Sequence, residues 1–236
     1  MARNAYHAFQ TFDEIMHFWA KERPDGHAFD QEGRVTTYAD ADVLTRQLIA
    51  LMQARGVGKG DRVAWLGKNR DTYFLLYIAA ARMGAVMVPI GWRLAPREIA
   101  YILGDTEAKL LFADADFVAT AHAVAADVPA NPEVIEAEAA RTAAAGFEPA
   151  DYTPPGPHDP VLQLYTSGTT GNPKGAMLTN TNLLGLIQLT QTRMQLVEQV
   201  VDRQALRCHG AGGPQQGSGL VARSPARLLH QVRDGG

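Results

Sequence analysis

The stretch DRVAWLGKNRDTYFLLYIAAARMGAVMVPI, residues 61–90, decides the fold. Val63-Ala64-Trp65-Leu66 is an apolar run of strand length, closed by the turn residue Gly67. Residues 71–83, DTYFLLYIAAARM, have the length and apolarity of a core helix, with Asp71 as its N-cap and Gly84 at its end. A second apolar run, AVMVPI, follows at residues 85–90. Two strands without a polar face, joined by a helix, predict a parallel sheet covered by helices on both sides. Residues 73–92 could be mistaken for a membrane span. Arg82 stands at their centre, where a charge costs about 2.5–3.5 kcal/mol even on an insertion scale. Gly84 and Pro89 divide the segment further. No integral membrane span is expected.

The pattern extends in both directions. Residues 11–22, TFDEIMHFWAKE, place Phe12, Ile15, Met16 and Trp19 on one helical face. Residues 33–61 begin with a short polar–apolar alternation. They turn at Tyr38-Ala39-Asp40 into a helix carrying Val43, Leu44, Leu48, Ile49, Leu51 and Met52, which Gly56, Gly58 and Gly60 stop. APREIAYILGDT, residues 95–106, is a helix with Pro96 near its start, and AKLLFAD, residues 108–114, is a third strand. The alanine-rich segments 118–127 and 132–146 both read as helices. The proline-dense residues 147–160 read as a surface connector. Thr179, Asn180 and Asn182 are cap residues for a further helix whose apolar face is Leu183, Leu184, Leu186, Ile187 and Leu189. The fold class is α/β, a mostly parallel sheet with covering helices.

Composition narrows the function. The chain of 236 residues is 46% hydrophobic and 20% charged, with a net charge of −3. That balance offers no electrostatic argument for nucleic acid or an anionic membrane surface. The single cysteine, Cys208, excludes an internal disulfide and a multi-cysteine metal site. With no apolar export segment near Met1, a cytoplasmic location is expected. Residues 200–236 break character: they lack lysine and aromatics, and carry five arginines against two acidic residues amid Gly and Gln. They read either as a disordered basic tail or as out-of-frame sequence from a frameshift. The domain division is therefore 1–199 and 200–236.

The segment with the most chemistry is YTSGTTGNPKGAMLTN, residues 165–180. Gly168, Gly171 and Gly175 would let backbone N–H groups crowd around an anion. Thr166, Ser167, Thr169 and Thr170 add hydroxyls suited to phosphate oxygens or the water shell of Mg²⁺. Pro173 stiffens the exit, so that Lys174 leaves in a restricted direction. The match to a Walker loop fails, and the dinucleotide fingerprint G-x-G-x-x-G is absent. From composition, a phosphate clamp and an ordinary Ser/Thr/Gly hairpin turn between strands 161–165 and 175–178 both remain open.

The ungapped string Tyr-Thr-Ser-Gly-Thr-Thr-Gly-x-Pro-Lys-Gly, residues 165–175, resembles the phosphate-binding signature of the adenylate-forming superfamily. That superfamily comprises AMP-forming acyl-CoA synthetases, beetle luciferases and the adenylation domains of peptide synthetases. Residues 56–69 and 73–112 resemble the family's preceding strand and helix modules, so the resemblance covers roughly residues 10 to 195. It stops near Gln199, which favours a truncated N-terminal portion of the large domain, with an incomplete sheet and exposed apolar surface. Gly91 after the "VPI" strand resembles acyl-CoA ligases more than amino-acid-activating domains, which usually place an acidic residue there.

The resemblance implies a carboxylate–CoA ligase of fatty-acid type, using ATP, Mg²⁺ and coenzyme A on a small carboxylic acid. It implies that Ser167, Gly168, Thr169, Thr170 and Gly171 wrap the β/γ-phosphates, that Lys174 offsets their charge, and that Thr166 contributes to the Mg²⁺ site. The family's later motifs are not visible after Leu196. A fragment inactive by itself is the expectation, against a non-catalytic phosphate- or ATP-binding remnant. His158, His209, His230 and Cys208 carry no expected role. Trp19, Trp65 and Trp92 are expected to pack or to line a rim.

Overall fold

The computed structural model describes residues 9–166, 173–194 and 206–207. Helix α1, Phe12–Glu22, is capped by Thr11, whose hydroxyl accepts from the Glu14 N–H. Strands β1, His27–Gln31, and β2, Arg34–Thr37, form an antiparallel hairpin. Its turn places Glu32 and Gly33 at φ 54° and 89°. Positive φ at both central residues is the turn geometry that matches strand twist. Thr37 then caps α2, Tyr38–Gln53, in a reciprocal box with Asp40.

The main sheet follows. Strands β3, Arg62–Leu66, β4, Val86–Ile90, and β5, Leu110–Ala113, run parallel, with α3, Asp71–Met83, and α4, Pro96–Thr106, as crossovers. A 3-10 turn at Ala115–Phe117 leads into α5, Val118–Ala126. Strand β6, Glu133–Glu136, is followed by α6, Ala137–Ala144. Strands β7, Pro160–Thr166, and β8, Lys174–Thr179, form a hairpin leading into α7, Asn180–Met194. The strand order is β6-β5-β3-β4-β7-β8, parallel except for β8. In the second sheet, Leu206–Arg207 (β9) pairs parallel with Phe29–Asp30 of β1. The rest of the basic tail lies outside the described residues.

Strands β3, β4 and β5 are buried on both faces of the main sheet, and their alternate residues divide between the two. Val63, Trp65, Met87, Leu110 and Phe112 pack under α1, α2, α3 and α6. Ala64, Leu66, Val88, Ile90 and Leu111 pack under α4 and α5. Residues 73–92, with their apolar length, thus become a core helix and a central strand. No helix among the described residues is long and apolar enough to cross a membrane.

Arg82 of α3 is fully buried. Its Nε donates to Asp13 Oδ1 of α1 and to the Tyr152 hydroxyl, each at 2.8 Å. Nη1 donates to Thr45 Oγ1 of α2 at 2.6 Å, and Nη2 lies 2.7 Å from Asp42 Oδ1. The Tyr152 hydroxyl also donates to Asp13. One guanidinium thus ties together three helices and the proline-dense connector. That connector is a strap over α2 as well as a surface loop: Ala150 and Arg46 exchange hydrogen bonds, and Gln47 donates to the Phe147 carbonyl.

Several expectations need correction. Residues 133–136 are a strand, because Val134 and Ile135 pair with Leu111 and Phe112 at the sheet edge. The helix begins only at Ala137, capped by the Glu136 carboxylate. Asp71 is not the cap of α3; Arg70 holds that position without a side-chain bond. The buried Asp71 carboxylate instead accepts from Arg34 Nη2 at 2.6 Å and Arg141 Nη1 at 2.8 Å, joining β2, α3 and α6. Glu138 completes this network, accepting from Arg34 and from the Thr72 hydroxyl. On α7, Leu184 is buried but Leu186 is 61% exposed, so the apolar face is narrower than its pattern suggested.

Breaking a buried ion pair by removing one partner costs about 3–5 kcal/mol, since the other charge is left unpaired. Arg82→Met is expected to lose stability on that scale in a urea melt, and a loss no larger than that of an average surface variant would show the hub to be dispensable. The Arg34 hydrogen bond holds the Glu138 carboxyl below its ordinary value of 4.5. Between the folded and ordinary values the unfolded chain binds more protons, so stability rises with pH there and is lost on acidification through the folded value. Melts below pH 4.5 should therefore fall less steeply for Glu138→Gln than for the parent chain. Parallel curves would remove Glu138 from the acid response.

Candidate functional site

In open parallel sheets, ligands sit outside the carboxyl ends of the strands. Strand β7 joins the sheet parallel to β4, through Met87 and Leu162, and so ends at that edge. Antiparallel β8 starts there, with Thr166 directly opposite Lys174. The Ser/Thr/Gly-rich loop between them therefore springs from the ligand-binding edge. Of the predicted phosphate-gripping residues, Thr166 and Lys174 are described, and both are exposed. Ser167, Gly168, Thr169, Thr170 and Gly171 lie outside the described residues.

The register sorts the side chains of the hairpin. Opposed residues share a face and successive pairs alternate. Leu162 with Leu178, Leu164 with Ala176, and Thr166 with Lys174 fall on one face. That face begins in the core and ends exposed, with Leu164 at 37%. Gln163 with Met177 and Tyr165 with Gly175 fall on the other. Among the described residues Lys174 forms no ion pair, so its ammonium is not tied to a carboxylate.

Gly175 has a further reason for being glycine, besides the one the sequence suggested. A Cβ built there would stand 2.4 Å from Gln163 Nε2 and 2.9 Å from Tyr165 Cζ. The Tyr165 ring lies across it, and its hydroxyl donates to Asp105 of α4. A larger residue here would push the Tyr165 ring and the Gln163 amide aside, so the close approach of these side chains favours glycine.

Neighbouring strand ends carry residues that sequence reasoning missed. Asp114, 5% exposed at the end of β5, accepts from the Lys68 N–H at 3.0 Å and from Arg70 Nε at 3.3 Å. Burial, outweighing these contacts, raises its carboxyl above the ordinary value. Trp92, just past β4, carries the Arg93 guanidinium 4.4 Å from its ring centroid and Lys68 Nζ at 5.9 Å. It is a rim residue, whereas Trp65 is a core residue. The available signal was position: Lys68, Arg70 and Arg93 lie two to four residues past strand ends. His158 is exposed, as expected. His209, His230 and Cys208 lie outside the described residues. Two open hollows, of about 310 Å³ beside Val43 and Arg141 and about 440 Å³ beside His158 and Leu184, lie away from the hairpin mouth. Among the described residues no three His, Cys, Asp or Glu cluster as a metal site.

The AMP-binding enzyme family matches residues 16–208, continuing past the compositional break at residue 199. The fatty acid–[acyl-carrier-protein] ligase ScoC of Streptomyces coeruleorubidus is 36% identical over 191 residues, covering 79% of this chain and 36% of that protein. A feruloyl-CoA synthase of Amycolatopsis is 38% identical over 164 residues, covering 70% and 32%. The inhibitor-bound N-terminal domain of FACL13 from Mycobacterium tuberculosis superposes with a TM-score of 0.65 at 32% identity, covering 73% of this chain and 45% of that one. The chain thus spans about a third of the length of the curated relatives it matches. From the extent of the family match and the identity to these ligases, the chain belongs to the AMP-binding enzyme family of adenylate-forming acyl ligases.

Proposed function

We propose that residues 166–174 grip the β- and γ-phosphates of ATP in a carboxylate-activating ligase. In that reaction a carboxylate oxygen bonds to the α-phosphorus of ATP and pyrophosphate leaves. The thiol of coenzyme A then takes the acyl group and releases AMP. Nucleotidyl transfer depends on positioning and charge neutralisation rather than on covalent help from the protein. The observation that carries the reading is the Thr166–Lys174 pair. It sets Thr166 directly opposite a lysine that forms no ion pair among the described residues, at the strand ends that flank the glycine-rich stretch and at the edge where open parallel sheets bind ligands.

This donor set fits a polyphosphate: a cation without a carboxylate partner, and hydroxyls that donate to phosphate oxygens. Ser167, Gly168, Thr169, Thr170 and Gly171 would supply further hydroxyl and backbone donors. Mg²⁺ keeps several of its waters and is held through substrate phosphates and one or two carboxylates, so the Thr166 hydroxyl would supply only part of the protein's share. The carboxylic acid is proposed to be a fatty acid, in keeping with the names of ScoC and of the long-chain-fatty-acid–CoA ligase FadD13 of Mycobacterium tuberculosis, 38% identical over 151 residues. A cytoplasmic setting goes with this reading, as one cysteine gives the chain no internal disulfide to maintain.

A charge-assisted contact contributes about 1.5–3 kcal/mol, or roughly 10- to 150-fold in affinity. Lys174→Ala in this chain is expected to weaken Mg-ATP binding within that range in an equilibrium titration. An unchanged affinity would remove the lysine from the phosphate site. The 236 residues alone are expected to show no carboxylate-dependent ATP–pyrophosphate exchange, whereas a protein continuing over the relatives' full length shows it. Robust exchange by the 236-residue chain would place the whole adenylation apparatus within it.

A further inference from the structure

We propose that Tyr165 is a positioning residue for the phosphate-gripping hairpin: held by Asp105 and laid across Gly175, it fixes the strand pair from which Thr166 and Lys174 project. The inference rests on the reading of the loop given above.

Tyr165 and Gly175 form the last pair but one of the β7–β8 ladder, and Thr166 and Lys174 form the last. A single peptide on each strand separates the two pairs, so whatever holds Tyr165 holds the mouth of the loop. Both hydrogen-bonding capacities of the phenol are engaged. Its O–H donates to the Asp105 carboxylate, and its oxygen accepts from Gln163 Nε2 at 3.0 Å. Asp105 lies in the last turn of α4, whose Ile99, Ile102 and Leu103 are buried against the sheet. The tether therefore runs from an exposed hairpin end to a helix locked in the core.

Beyond the packing of the Tyr165 ring against the core under α4 and α5, little else described holds that end. The β4 ladder meets β7 at Met87 and Leu162, near the start of the strand. Strand β8 is the outer edge of the sheet, and its Ala176 and Met177 are exposed. The phenol and the ammonium lie on opposite faces, so Tyr165 does not touch the anion itself. It acts through the backbone that orients Lys174. Burial, then the Asp105 hydrogen bond, raises the phenol well above its ordinary value, so the proton that makes the tether stays in place at neutral pH.

The test uses the 236-residue chain with Tyr165→Phe, Asp105→Asn, Gly175→Ala and, for comparison, Lys174→Ala. Tyr165→Phe keeps the ring over Gly175 and removes only the hydroxyl. Mg-ATP and inorganic pyrophosphate affinities are read by titration, and the amides of Thr166, Lys174 and Gly175 by hydrogen exchange. Tyr165→Phe and Asp105→Asn are expected to speed exchange at these amides and to weaken ATP binding about 5-fold, the scale of one hydrogen bond. In a Lys174→Ala background, Tyr165→Phe is expected to cause a smaller further loss, because the part of its effect that passes through the lysine is already gone. A contact that merely stabilises the fold would lower affinity equally in both backgrounds. Unchanged affinity in Tyr165→Phe, with or without faster exchange, overturns the assignment while leaving the loop's role intact if Lys174→Ala still weakens ATP. No weakening in Lys174→Ala overturns the reading of the loop, and the positioning role falls with it.

Discussion

The architecture depends on a charge that has no access to water. Arg82 carries a guanidinium into the packed face of α3, where an unpaired ion would cost several kcal/mol even after local relaxation. Its charge must therefore be met by protein: Nε and Nη1 donate to Asp13 on α1, Tyr152 on the connector and Thr45 on α2, and Nη2 pairs by charge with Asp42 on α2. Each partner is distant in sequence and would otherwise be free to choose another position. Burying one arginine thus fixes the relative placement of three helices and a strap. It is specific as well as stabilising, because few other packings of these helices bring two aspartates and two hydroxyls to one point.

The consequence for the site runs along the strap. The connector leaves α6, crosses α2 through Ala150 and places Tyr152 against Arg82. It then reaches β7 with its Asn180 anchor already made: the Asn180 amide donates to the Gly156 carbonyl, and its side-chain oxygen accepts from the Phe12 N–H. Strand β7 therefore enters beside β4 in parallel and must end where β3, β4 and β5 end. Because β8 returns antiparallel, the loop between them is forced onto that edge. The position of Thr166 and Lys174 thus follows from topology, and the phosphate-gripping role proposed for them acts upon a location already decided.

How much of this was legible follows from the range of the interactions involved. Strands β3, β4 and β5 and helices α1 to α4 were readable because burial on two faces, or on one stripe, leaves a periodic apolar record in the sequence. Strand β6 was not, since Glu133–Glu136 sits in an alanine-rich context and becomes a strand only by pairing with β5. Strand β1 escaped because His27–Gln31 holds one fully apolar buried side chain, Phe29, beside the polar Gln31. Asp71 looked like a cap because its local context is a helix start, while its actual partners, Arg34 and Arg141, lie 37 and 70 residues away. At the site, the motif identified Thr166 and Lys174. It could not reveal that Gly175 accommodates Tyr165, since that requires the cross-strand register and Asp105, 60 residues away.

Two cations of this chain show how environment divides a structural charge from one proposed to be functional. Arg82 was conspicuous in the sequence as a charge inside an apolar segment, and in the structure it is paired with Asp13 and Asp42 and hydrogen-bonded to Thr45. Lys174 was conspicuous as the exit of a polar loop, and among the described residues no carboxylate claims it. A buried cation must be neutralised within the fold, or the fold does not form. An exposed cation remains hydrated until an anion arrives, and it can give that anion its charge because the fold has not spent it. The ammonium at the hairpin mouth is useful only if it is both unpaired and directed. The first condition is a matter of which residues surround it, and the second of what holds the two strands beneath it.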